Sequence, residues 1–346
     1  MARRDPVEAR AKRSRDLYGI ATWEPRSMLD RFAVRLHHLA VLVGKWLLVL
    51  VAVLFTLLIG AAGALTNPVI LGLTLLSAVP ALALVAYVYR TDVTSGEPLT
   101  LLAVTFLLAI VFASFAAIAN TIFGNLLGVG IASGETTVLS LVGSILFFFL
   151  VVGPVEETVK ILAVRFYAFR SDEFDAVVDG VVYGAVAGLG FAFVENAIYI
   201  QRSAGESLSM GGPEQVLAEV GATATIRALA GPGHVIYSAF AGYYLGLAKF
   251  NPDDAGPIIA KGVVIAALIH ATYNSFATAA LPGLTALLEP TLPSISVFFA
   301  FVVLFQGFFG YLLYRKIKAY TAAYRDVMSD AERSRSIGVE RTEFDG

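Results

Sequence analysis

Long uncharged stretches separated by short polar breaks run through the chain from residue 46 to residue 314. A helix needs roughly 20 apolar residues to cross the hydrocarbon core of a bilayer, and there it satisfies its own backbone hydrogen bonds. Eight stretches meet that length: 46–65, 69–89, 99–120, 139–162, 177–200, 222–247, 258–280 and 295–314. Ile122 to Ala132 either extends the third or forms an interfacial piece. Thr66-Asn67-Pro68 divides the first two, since a proline beside a turn former ends a helix. Pro98, Pro257 and Pro293 stand just ahead of later runs, where a missing N–H costs a helix least. The pattern predicts an all-α fold, a polytopic transmembrane helical bundle of about eight helices. It sets a basic N-terminal tail (1–45) before a membrane domain (46–314) and a C-terminal tail (315–346) after it. In the first tail, Leu29 to Leu39 reads as a basic amphipathic helix on the membrane surface, with His37 and His38 as interfacial polar residues.

Composition agrees, with 57% hydrophobic and 15% charged residues, outside the balance of an ordinary soluble domain. Mean hydropathy is +0.74. A net charge of -2, with the basic residues gathered at the termini, gives no signal for nucleic acid. The absence of cysteine excludes disulfides, thiolate metal ligands and a cysteine nucleophile. Ten Lys/Arg in residues 1–45 and seven in 315–346 share one side with Arg90, Arg165, Arg170, Lys249 and Lys261, leaving Arg202 and Arg227 on the other. The excess of basic residues on cytoplasmic loops then predicts a multi-pass cell-membrane protein with both termini cytoplasmic. The lead before the first span is too long for a signal-peptide n-region, so that span reads as a retained anchor.

The polar residues inside the apolar runs carry the chemistry. Glu156 and Glu157 follow the run Leu139 to Val155, with Lys160 one turn on. Phe191 precedes Glu195 by four residues, with Asn196 behind it; His234 precedes Ser238 and His270 precedes Asn274 by the same interval. Residues four apart share a helix face, so each pair can project into a bundle interior. Ionisable groups at that depth are costly and mark function. Glu156 and Glu157 point about 100° apart and cannot share one site symmetrically; Glu156 is in phase with Lys160 and Gly153 and faces the polar interior, leaving Glu157 to orient a neighbouring helix or pair with Lys160 or Arg165. Glu195 lies about 24 Å along its helix from Asp179, far from that end of the span.

These motifs, Glu156-Glu157-Thr-Val-Lys160, Phe191-xxx-Glu195-Asn196, His234-xxx-Ser238 and His270-xxx-Asn274, resemble in order those of the PrsW intramembrane proteases, over roughly residues 139–280. That family is related to the CAAX-prenyl endopeptidases and bacteriocin-immunity (ABI) proteins, whose second motif carries His where this chain has Glu. The resemblance implies an intramembrane endopeptidase of glutamic type, cutting a membrane-protein substrate such as an anti-sigma factor with a single span. On that reading Glu156 is the general base, Glu195 positions or polarises the water, and His270, Asn274 and His234 donate to the oxyanion, with Glu157 in the same site. No cofactor is expected. If the enzyme uses metal, Glu156, Glu195, His234 and His270 are the ligands for Zn²⁺, although no HExxH helix is present. Intramembrane Glu and His also fit a proton-coupled carrier, and the superfamily also includes immunity-type membrane proteins.

Overall fold

A computed structural model describes residues 25–58, 67–91, 96–129, 137–208, 213–289 and 291–342. Among these the secondary structure is helical: α1 Met28–Leu58, α2 Pro68–Arg90, α3 Leu99–Leu126, α4 Val138–Phe147, α5 Gly153–Phe166, α6 Val177–Leu208, α7 Pro213–Lys249, α8 Ala255–Ser275, α9 Leu281–Leu288 and α10 Ser294–Thr342. Among the described residues, those up to Val51 form one compact unit and those from Ala52 onward a second, which holds the motifs.

Capping chemistry sets several starts. Asn67 accepts from the backbone N–H of Val69 and Ile70, and Pro68 takes the first helical position. Thr137 and Ser140 form a reciprocal capping box at the start of α4. Two widened π-turns, Phe148–Val152 and Phe276–Ala280, join α4 to α5 and α8 to α9. Each lies two residues before a proline, Pro154 or Pro282, where the ring removes a donor and crowds the preceding turn. The expected spans at 139–162 and 258–280 are therefore helices that carry a π-turn.

Among the described residues six segments are long and apolar enough to cross a membrane: Pro68–Arg90, Leu99–Leu126, Val138–Phe166, Val177–Ser207, Pro252–Leu288 and Ser294–Val327. The protein is a multi-pass membrane protein. The expected span at 222–247 is helical within α7 but is not among the six, because this helix spends its length on Arg227, His234, tyrosines and glycines. The expected first span runs past the described part of α1, and residues 59–65 of it lie outside the described residues. The surface helix expected at 29–39 is continuous with α1.

Helix α6 is the centre of the second unit: 94% of its apolar window is buried, against 17% for the window within Val138–Phe166. Leu107, Leu146, Leu150, Leu304 and Phe308 point outward as a lipid-facing surface. Glycine lets α6 meet α7 backbone to backbone. A Cβ at Gly184 would strike the carbonyl of Ser238, one at Gly188 the carbonyl of His234, and one at Gly246 the carbonyl of Val177. Between α5 and α8 the same device recurs, with a Cβ at Gly153 falling 2.6 Å from the carbonyl oxygen of Ala267.

Candidate functional site

The glycine contacts deliver the motif residues to one place. Gly188 abuts His234 itself, while Gly153 and Ala267 each stand three residues before a motif residue, Glu156 and His270. At that depth the two carboxylates of the Glu-Glu pair part company. Glu157 is fully buried and accepts from Lys160 Nζ (2.6 Å), His270 Nδ1 (2.9 Å) and Ser238 Oγ (3.3 Å). Glu156 accepts from Asn120 Nδ2 (3.0 Å) through Oε1, while its Oε2 is buried without a hydrogen-bond partner among the described residues.

The tautomers follow from the partners. A carboxylate only accepts, so Nδ1 of His270 carries the hydrogen given to Glu157 and Nε2 presents its lone pair. That Nε2 lies 3.8 Å from Glu156 Oε2, too far for a direct hydrogen bond and suited to sharing a third atom. Lys160 donates to Nδ1 of His234 at 3.0 Å, so Nε2 of His234 carries a hydrogen and gives it to Glu195 Oε2 at 2.7 Å. The buried Lys160 ammonium also lies 3.9 Å from Glu156 Oε2 and 4.3 Å from the centre of the Phe191 ring.

Glu195 is held from its other side by Arg227, whose Nη2 donates at 2.5 Å; Arg227 Nε donates to Asn196 Oδ1 at 2.9 Å, and Asn196 Nδ2 in turn to Ser77 Oγ at 2.9 Å. Two ion pairs, Lys160 with Glu157 and Arg227 with Glu195, thus account for both cations and two of the three carboxylates. Glu156 is left with no such close counter-charge. In the gathered set the structure unites Glu156, Glu157, Lys160, Phe191, Glu195, His234, Ser238 and His270. Asn196 turns to Arg227 and Ser77, and Asn274 lines the adjoining cavity.

Asn120 and Arg227 escaped the sequence reading. Arg227 stood there as a charge marking membrane side; in the structure it belongs to the site. A charge in the middle of α7 was the signal available for it; Asn120 in an apolar run offered less.

A cavity of about 1690 Å³ reaches Glu156, Glu195, His234 and His270. It continues past Asn120, Tyr199 and Arg227 to Gly128, Thr137, Arg202 and Gly283, which cluster at one end of the helices. One ligand-capable atom from each of Glu156, His234 and His270 lies within 4.8 Å of the others, a group able to hold a metal ion. Glu195, expected among such ligands, is outside this group and is occupied by Arg227 and His234.

The sequence profile of the PrsW family intramembrane metalloproteases matches residues 97–307. Similar proteins include Protease PrsW of Geobacillus kaustophilus, 29% identical over 196 residues that cover 56% of this chain and 75% of the relative. Protease PrsW of Bacillus subtilis is 29% identical over 204 residues, 58% of this chain and 80% of its own. That of Halalkalibacterium halodurans is 31% identical over 128 residues, 37% of this chain and 52% of its own. No solved structure matches. With more than half of its length inside the family profile and the four motifs gathered around one buried cluster, this chain belongs to the PrsW family of intramembrane proteases.

Proposed function

We propose that the protein is an endopeptidase that cuts a single-span membrane protein with a water molecule activated by Glu156. The observation that carries this reading is the buried, unpartnered Oε2 of Glu156, 3.8 Å from the lone pair of His270 Nε2. A water between them donates one hydrogen to each acceptor. Glu156 takes a proton as the water oxygen attacks the scissile carbonyl carbon, then returns it to the amine nitrogen as the C–N bond breaks. Glu157 fixes the ring of His270. Arg227, Glu195 and Lys160 fix His234. Asn274, which lines the cavity, donates to the substrate carbonyl in this reading. Family membership favours this hydrolytic reading over a proton-coupled carrier or an immunity-type protein.

The cavity supports a direction of approach. Its lining reaches the ends of α3 and α6 and the starts of α4 and α9, the helix ends away from Arg90, Arg165, Arg170 and Lys249. With both termini cytoplasmic, that end of the cavity faces outward in the cell membrane, and the bond cut lies in the outer half of the substrate's span or just beyond it. An anti-sigma factor has this topology.

A second reading adds a metal. Glu156, His234 and His270 offer the oxygen and nitrogen donors that Zn²⁺ takes, and the Glu157–His270 bond is the arrangement that orients metal-bound histidines. Glu156 Oε2 and His270 Nε2 are available as they stand; His234 would release Lys160 or Glu195. Zn²⁺, when bound, polarises a carbonyl and acidifies a bound water. In this reading Lys160 and Arg227 hold the surrounding carboxylates, and Glu195 holds His234.

One experiment tests both. The purified protein is stripped with a chelator and assayed against a single-span substrate beside Glu156→Gln, with folded protein measured for each. The first reading expects activity to survive stripping and to vanish in Glu156→Gln. Loss on stripping with restoration by one equivalent of zinc establishes the second. Full cleavage by folded Glu156→Gln overturns both.

A further inference from the structure

Two buried hydroxyls at the site have no partner. Tyr237 Oη and Tyr273 Oη accept and donate no hydrogen bond among the described residues, although both tyrosines are more than nine-tenths buried and both line the cavity that reaches Glu156. Buried polar atoms in folded proteins are satisfied in the great majority, so two orphans at one site call for an explanation. Their positions in the sequence are matched: His234-Val-Ile-Tyr237 and His270-Ala-Thr-Tyr273 place a tyrosine three residues after each site histidine, on the same face of its helix. In space the Tyr237 ring centre lies 5.3 Å from that of His270 and 6.4 Å from that of Tyr273.

The reaction needs more than the one donor, Asn274, assigned to the substrate carbonyl above. Hydrolysis puts negative charge on the carbonyl oxygen, and catalysis depends on N–H or O–H groups aimed at it. His270 Nε2 faces the site as an acceptor, and the Nε2 hydrogen of His234 is given to Glu195. A phenolic O–H donates and is compatible with an otherwise apolar wall.

We propose that the hydroxyls of Tyr237 and Tyr273 are catalytic donors that hold the substrate's backbone carbonyl oxygen and the oxyanion formed from it. This rests on the protease reading above. The ligand class is a peptide backbone, and the side chains beside the cut bond play no part in this contact. No bond to tyrosine forms: the hydroxyl hydrogens stay on their oxygens and are shared with the oxyanion until the carbonyl reforms.

Tyr237→Phe and Tyr273→Phe test the idea, because each removes one oxygen and keeps the ring. Tyr273 still stacks on Phe301, whose ring centre is 5.3 Å away, and the packing of Tyr237 is unchanged. Cleavage kinetics are measured in vesicles reconstituted with the full chain, with thermal unfolding of each variant alongside. Each substitution is expected to lower kcat by on the order of 10²-fold, as loss of one oxyanion donor does, with KM little changed and the unfolding temperature equal to or above that of the parent. Parental kcat in either variant overturns the proposal, and so does a loss of kcat matched by lost folded protein. Glu156→Gln in the same assay separates the failures. If Glu156→Gln is inactive while the Phe variants cleave normally, only the tyrosine proposal falls; if Glu156→Gln also cleaves, the protease mechanism beneath it falls.

Discussion

Glu157 and Glu156 are neighbours with opposite employments. The first accepts hydrogen bonds from Lys160, His270 and Ser238, and the second keeps one oxygen free. Removing Glu157 leaves the fully buried ammonium of Lys160 without its 2.6 Å counter-charge. Breaking a buried ion pair from one side costs roughly 3–5 kcal/mol. Glu157→Ala is therefore expected to lose most of its folded protein, read as a lower unfolding temperature in detergent and a lower membrane level. Glu156→Gln keeps the shape and the bond from Asn120 and is expected to fold at parental levels while losing cleavage. Equal stability of the two variants would remove the distinction between a carboxylate that builds the site and one that reacts.

At the scale of the helix, the distances of the site are set by backbones in contact. Gly188→Ala would press a methyl into the carbonyl of His234, and Gly153→Ala would press one into that of Ala267. Neither carbonyl can turn aside within a helix, so α6 parts from α7, or α5 from α8. A displacement of about 1 Å at a reacting group can cost on the order of 10²-fold in rate. Both variants are expected to lose that much turnover or more, whereas Gly205→Ala, with nothing within 4 Å of its new methyl, is expected to keep the parental rate. The helices and the pairs four residues apart were legible in the sequence because periodicity and hydropathy are local properties. The division of labour between Glu156 and Glu157 was legible only as an angle of about 100°. Arg227 and Asn120 were hidden, because what a buried donor binds depends on which helix packs beside it. Tyr237 and Tyr273 stood in plain view between the paired positions, but a tyrosine in an apolar helix has the same local signature whether or not its hydroxyl is partnered.

For the molecule as a whole, the proposed reading makes orientation in the membrane decide where substrates are cut. Reporter fusions after Gly134, Gly212 and Gly283 are expected to report the extracytoplasmic side, and fusions after Arg170 and Lys249 the cytoplasmic side; reversal at two or more of these points would turn the protease over in its membrane. Arg227 no longer bears on this orientation, since it is committed to Glu195. The cavity also has walls of two kinds. The glycine-seated helices α5 to α8 present the cluster, and across from them Thr121, Asn125, Leu139 and Ser140, from α3 and α4, line the rest. On the proposed reading the first wall has no room for change at Gly184 or Gly188, where a Cβ would meet a backbone carbonyl of α7, and substitutions on the second are expected to alter which substrates fit. The same scaffold would then keep one way of cutting while its second wall sets what is cut.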